Sequence, residues 1–183
     1  VHPAELDVVA HDASKEYLAP IPPLEFHYEG FVNEENATVL DLQPEILTTA
    51  DASSPAGVYD VNASGGLDPN YHFFYHGAHL EIGATAQHVD HFEAPLDAIY
   101  GDPPLPLEAT ASSGLPVIFS SSDDAVLEVS GNELLVRGAG EAVVFAHQAG
   151  DDNWNPAPDL NVTIVVHPAE LDVVAHDASK EYL

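Results

Sequence analysis

Cysteine and methionine are absent from the 183 residues, and lysine and arginine together number 3. Without cysteine, neither a disulfide nor a thiolate metal site can hold the fold. Oxidation finds few targets, and with Lys15, Arg137 and Lys180 as the sole trypsin-type sites there are few points for a protease to nick. Opposite them stand 31 Asp and Glu, for a formal net charge of −28. Every phosphate contact would add repulsion instead of releasing counterions, which excludes nucleic acid as a partner and disfavours anionic membrane surfaces. The same charge destabilises a compact fold in low salt, whereas at marine ionic strength the screening length falls to roughly 4 Å. A salty or Ca2+-rich exterior is the expected setting. Hydrophobic residues make up 45% of the chain, enough to give one large or two small domains their own cores.

What the sequence does have is a repeat. Residues 1–18, VHPAELDVVAHDASKEYL, return unchanged as residues 166–183, a period of 165 residues. Such an identity is expected of a chain cut from an array of near-identical units, one unit plus the opening of the next. An array would also account for the lack of an initiator Met, a signal peptide or a stop-transfer segment. Each 165-residue unit would carry a charge of about −25. A weaker echo lies inside the unit: Tyr17, Pro20, Pro23, Leu24 and Glu25 line up with Tyr100, Pro103, Pro106, Leu107 and Glu108 at a constant offset of 83. A boundary near residue 84 follows, giving modules at 1–84 and 85–165, with 166–183 as the first strand of the next repeat.

In the first module, AELDVVAH, LEFHYEGF, AGVYDVNA, YHFFYH and AHLEIGA alternate as half-buried strands do, between Pro, Gly, Asn and Asp. Asn33 reads as an N-cap, with Glu34 and Glu35 in the first turn of a short helix ending near Leu40. The expected fold is mostly β, a small β-grasp-like sheet crossed by that one helix. The second module shows seven short strands at spacings of about ten residues, as an Ig-like β-sandwich does. Gly131-Asn132 marks a tight hairpin, and Val117, Phe119, Val129, Leu135, Val144 and Phe145 are the expected core.

The phrases LDVVAHDASKEY, LEFHYEGFVNEENATVL, SSPAGVYDV and NYHFFYHGAHLEI resemble the MBG domain of large secreted bacterial adhesins, over nearly all of residues 4–83. Where that family commonly has Tyr-Gly-Asp, this chain has Tyr17-Leu18-Ala19. The second module keeps Tyr100-Gly101-Asp102-Pro103, and with SGLPV, SSSDDAV and AGDDNWNPAP it is similar to a bacterial immunoglobulin-like (Big-type) domain. Together the resemblances imply an extracellular, cell-surface array with no catalytic motif.

Eleven histidines raise the question of a metal, above all His72, His76 and His79, with His88 and His91 nearby. On a strand His72 and His76 share a face and His79 does not, so the geometry is not that of one facial site. Ca2+ is the ion that the carboxylate pairs Asp123-Asp124 and Asp151-Asp152 would suit, with a structural role; solvated acidic faces are the plainer reading, and no other cofactor is expected. The sequons at Asn36, Asn62 and Asn161 are glycosylation candidates. Trp154, the lone indole, is expected to pack over a sandwich end rather than serve as a sugar platform. Neither the run Ser120 to Ser122 nor the carboxylates point to an enzyme. The function expected is a structural repeat of a surface fibre or adhesin shaft, whose partners are adjacent repeats and neighbouring copies in a filament. The alternative is an adhesion module that binds a glycan or host protein through Trp154 and the hairpin Tyr71, Phe73, Phe74 and Tyr75.

Overall fold

The computed structural model describes residues 2–177. They fall into two compact units, Val1–Gln87 with Gly150–Pro156, and His88–Ala149 with Ala157–Leu183. The chain is mostly β, and among the described residues no helix is long and apolar enough to cross a membrane.

The first unit begins with β1 (Ala4–Ala10), whose alternation puts Leu6 and Val8 wholly inside while Glu5 is exposed. β1 lies between β3 (Phe26–Glu29), antiparallel, and β6 (Tyr71–His76), parallel. After His11 and Asp12 the chain crosses to the opposite sheet as β2 (Ala13–Glu16), parallel to β7 (Ala78–Gly83). The crossing is pinned where Asp12 Oδ1 accepts the His79 N–H at 2.8 Å. β7 then pairs antiparallel with β5 (Gly57–Ser64), which pairs with β4 (Glu45–Thr48). Sheet orders are therefore β3-β1-β6 and β2-β7-β5-β4. Leu6, Leu40 and Tyr71 form one buried cluster; Ala10, Val61, Ala78, Leu80 and Ile82 form another.

The short helix is a correction to the sequence reading. Asn33 and Glu34 have φ of 54° and 61°, left-handed values that a right-handed first turn cannot use. What forms is a single 3-10 turn, Ala37–Val39, with Asn36 as its cap: Asn36 Oδ1 accepts the Thr38 N–H at 3.0 Å. With two sheets and, among the described residues, no crossing helix, the first unit is not β-grasp-like.

The second unit runs β8 (Val89–Glu93), β9 (Asp97–Ile99), β10 (Leu105–Pro106), β11 (Glu108–Ala111), β12 (Ile118–Ser121), β13 (Leu127–Ser130), β14 (Glu133–Val136), β15 (Gly140–His147) and β16 (Leu160–His167). A four-stranded sheet, β12-β15-β16-β9, shares one core with the β10-β14-β13 sheet and the β11-β8 pair. Ser130 pairs with Glu133 across Gly131-Asn132, and Gly131 has φ 62°, as a two-residue hairpin requires. Phe119 and Val144 are core residues, and Val117 and Val129 pack partly buried against it. Leu135 and Phe145 are not in that cluster: the inward positions on their strands are Leu134 and the run Ala142, Val144, Ala146. Strand parity leaves no compromise, since a neighbour one residue away faces the other side.

Both units follow one strand plan. β2 runs parallel to β7 with Glu16 opposite Gly83, and Tyr17 N–H donates to Gly83 O at 2.8 Å. β9 runs parallel to β16 with Ile99 opposite His167, and Tyr100 N–H donates to His167 O at 2.8 Å. The antiparallel pairs β1–β3 and β4–β5–β7 recur as β8–β11 and β12–β15–β16. The offset of 83 in sequence is thus a repeated fold.

Core parity is tested by substitution. Leu134→Ala should cost about 2–5 kcal/mol in urea unfolding, as large core truncations do; Leu135→Ala should cost less than about 1 kcal/mol.

Candidate functional site

The unusual local structure of the first unit is a turn contributed by residues distant in sequence, Gly150–Pro156. Asp151 Oδ1 accepts the N–H groups of Asn153 and Trp154, both at 2.9 Å, which curls the backbone into an Asx turn. Gly150 has φ 75°, and a Cβ there would strike the Trp154 carbonyl oxygen, so the turn requires glycine. Trp154 forms a parallel bridge with Thr85. Thr85 N–H donates to Asn153 O at 2.9 Å, and Asn155 N–H donates to Thr85 O at 2.8 Å. Two contacts complete the seat: Ala56 N–H donates to Asn153 Oδ1 at 2.7 Å, and the half-buried Trp154 ring meets Tyr17 edge-on with centroids 5.8 Å apart. Trp154 is therefore a packing residue of the first unit, seated on Tyr17.

A related turn occurs a second time, with Leu67 where the first has Gly150 and one backbone N–H on the Asp instead of two. Asp68 Oδ1 accepts the Asn70 N–H at 2.7 Å, Ala4 N–H donates to Asn70 O at 2.8 Å, and Tyr71 pairs in parallel with Ala4. Asp68, Asn70 and Tyr71 precede Asp151, Asn153 and Trp154 by the offset of 83, a signal present in the sequence that the Tyr and Pro echo alone did not bring out. The two aromatics differ in use. Tyr71 is buried and donates its hydroxyl to Glu35 Oε2 at 2.6 Å, a bond that, with burial, lifts its ionisation above the ordinary 10.0.

The histidines are spread out and mostly paired with carboxylates: His76 with Asp7 at 2.5 Å, His79 with Asp60 at 3.5 Å, His88 with Asp90 at 2.6 Å, His91 with Glu93 at 3.3 Å. His72 packs edge-on against Phe74. Asp123 Oδ1 accepts the Ala125 N–H at 2.9 Å in the turn before β13, with Asp124 exposed beside it, and Asp151 holds the turn just described, with Asp152 exposed. Among the described residues no group of three or more His, Asp or Glu is placed to hold a metal ion. Asn36, Asn62 and Asn161 are all exposed. The aromatic hairpin does not make one face: Tyr71 is buried, Phe73 lies partly buried against the core, and Phe74 and Tyr75 are exposed.

Residues 6–81 match the MBG domain, YGX type. No curated protein matches the chain. Among solved structures it is similar to Drosophila N-cadherin EC1-4, at 14% identity over 90% of this chain and 50% of that one, with a TM-score of 0.40. It is also similar to the fibronectin(III)-like modules of Clostridium thermocellum CbhA (15% identity, 93% and 100% covered, TM-score 0.37) and to a C-terminal fragment of intimin (16%, 87% and 63%, TM-score 0.34). The chain thus spans half the length of the N-cadherin fragment.

The MBG match locates a departure. In Tyr17-Leu18-Ala19, Leu18 is exposed and held at φ 64°, while the second unit's Gly101 has φ 102° at the corresponding place. The turn hydrogen bonds agree, Ala19 N–H to Glu16 O at 3.1 Å and Asp102 N–H to Ile99 O at 2.9 Å. The turn is therefore the same in both units, with leucine in the first forced into left-handed backbone at a cost of about 1–2 kcal/mol. Leu18→Gly should raise the stability of the first unit by about 0.5–1 kcal/mol once glycine's extra unfolded-state entropy is subtracted. Leu18→Ala, which keeps the strain, should leave it nearly unchanged. Urea unfolding followed by the emission of Trp154, the lone tryptophan, reads that unit.

Proposed function

We propose that this chain is a structural repeat unit of an extracellular surface fibre or adhesin shaft, assembled head to tail, with adjacent repeats and neighbouring copies as its partners. It is not an enzyme and needs no cofactor; its work is to span distance. One observation carries the reading. The sequence AELDVVA is β1 in the first unit, where Leu6 and Val8 are 0% exposed; repeated at 169–175 it forms no strand, and Leu171 and Val173 are each 86% exposed. Strands equivalent to β3 and β6 would cover the second set in the same way. A further copy of the first unit supplies them.

Composition supports the same role. A net charge of −28 keeps such a string extended and soluble by self-repulsion, and salt outside the cell screens it enough for each core to fold. Without Cys or Met, and with few tryptic sites, the chain suits long exposure. The exposed Asn36, Asn62 and Asn161 are open to glycan addition.

Electron microscopy of native cell-surface material tests this. Fibres with a regular axial repeat of the size of two small domains are the expected result. Isolated globular particles carrying a single copy would contradict it.

A further inference from the structure

Resting on the repeat reading, we infer that the exposed end of the second unit at Tyr100, Ala139 and Ala169 is a docking seat for a second copy of this chain, and that its occupant is the Asp68–Tyr71 turn of the following repeat. In the first unit the equivalent seat is occupied. There the turn at Asp151–Trp154 meets three features: Tyr17 at the end of β2, the Ala56 N–H just before β5, and Thr85 two residues beyond Gly83. The second unit repeats all three. Tyr100 follows β9, Ala139 just precedes β15, and Ala169 stands two residues beyond His167. Even the backbone beside the N–H agrees, with φ 154° at Gly57 and 155° at Gly140.

This second seat is empty. Tyr100 is 52% exposed, Ala139 is exposed where Ala56 is half-buried, and the Ala139 N–H finds no acceptor among the described residues. With Pro168 and Ala169 these residues line one open hollow.

The occupant is fixed by the repeat itself. Ala169 is the copy of Ala4, and in the first unit Ala4 N–H binds the carbonyl of Asn70. When a following repeat folds, its Asn70 is thereby carried to Ala169, in the position Asn153 holds at Thr85. The Asn70 side chain, exposed in this chain, then accepts the Ala139 N–H as Asn153 accepts that of Ala56. Tyr71, buried in its own core, does not copy the Trp154 contact; the hydrogen bond is what carries over.

The test is a two-repeat polypeptide in which Leu183 is followed by residues 19–165, compared with residues 1–183. The Ala139 N–H of the first repeat should exchange with solvent at least about tenfold more slowly in the longer chain. Asn70→Ala in the second repeat should abolish that protection, while the same change in the first repeat should leave it, which controls for folding. Equal exchange in both chains, or protection that survives the second-repeat change, overturns the docking seat while leaving the fibre reading intact. Native material without a 165-residue periodicity would instead overturn the fibre reading.

Discussion

The apolar face of Ala4–Ala10 can be kept from water only by strands that come later in the chain. Leu6 and Val8 are buried because β3 returns beside β1 on one edge and β6 arrives on the other. The first strand is therefore not stable by itself, and the unit forms as a cooperative whole with contacts far apart in sequence. Splitting that strand at His11 and Asp12, so that β2 joins the opposite sheet beside β7, ties both sheets to one stretch of backbone. The second unit makes the same division with β8 and β9.

The Asp-x-Asn turn answers a separate problem, that of backbone N–H groups outside the main strand ladders, at Ala4 and Thr85. Thr85 and Ala4 each have their N–H satisfied by an asparagine carbonyl three residues or fewer from an Asp that shapes the turn. In the first unit the asparagine side chain also satisfies Ala56. One short motif thus supplies main-chain and side-chain acceptors together, and it does so without cations. In a chain with 3 Lys and Arg, ion pairs of those cations are few, and cohesion rests on hydrogen bonds to carboxylates and backbone and on apolar burial.

Much of this was legible in the sequence. The alternating runs pointed to the mostly β character and the inner echo at 83 to two successive modules, and the MBG resemblance over 4–83 coincides closely with the family match at 6–81. The hairpin at Gly131-Asn132 was readable because two residues with one demanding φ leave few options. The helix was misread because Asn33, Glu34 and Glu35 satisfy the rules for a helix start, yet Asn33 and Glu34 take left-handed backbone, which no composition rule anticipates. Leu135 and Phe145 were misassigned for a different reason: in ELLV and AVVFA both parities are apolar, so alternation does not choose a face. The seating of Trp154 on Tyr17 joins positions far apart in the chain, and local pattern carries no trace of such a contact. Of the site residues, Asp123 and Asp151 are Ca2+ candidates by residue type alone, and in the structure each accepts backbone N–H groups within its own turn, while His76 and His88 each meet a single carboxylate.

In the proposed array, residues 169–175 are the first strand of a further unit. Hydrogen exchange at Leu171 and Val173, in a chain extended past Leu183 by residues 19–87, tests it most directly. Amides as protected as those of Leu6 and Val8 in the first unit are the predicted result. Exchange as fast as in an unstructured peptide, in a chain long enough to complete the unit, would contradict it.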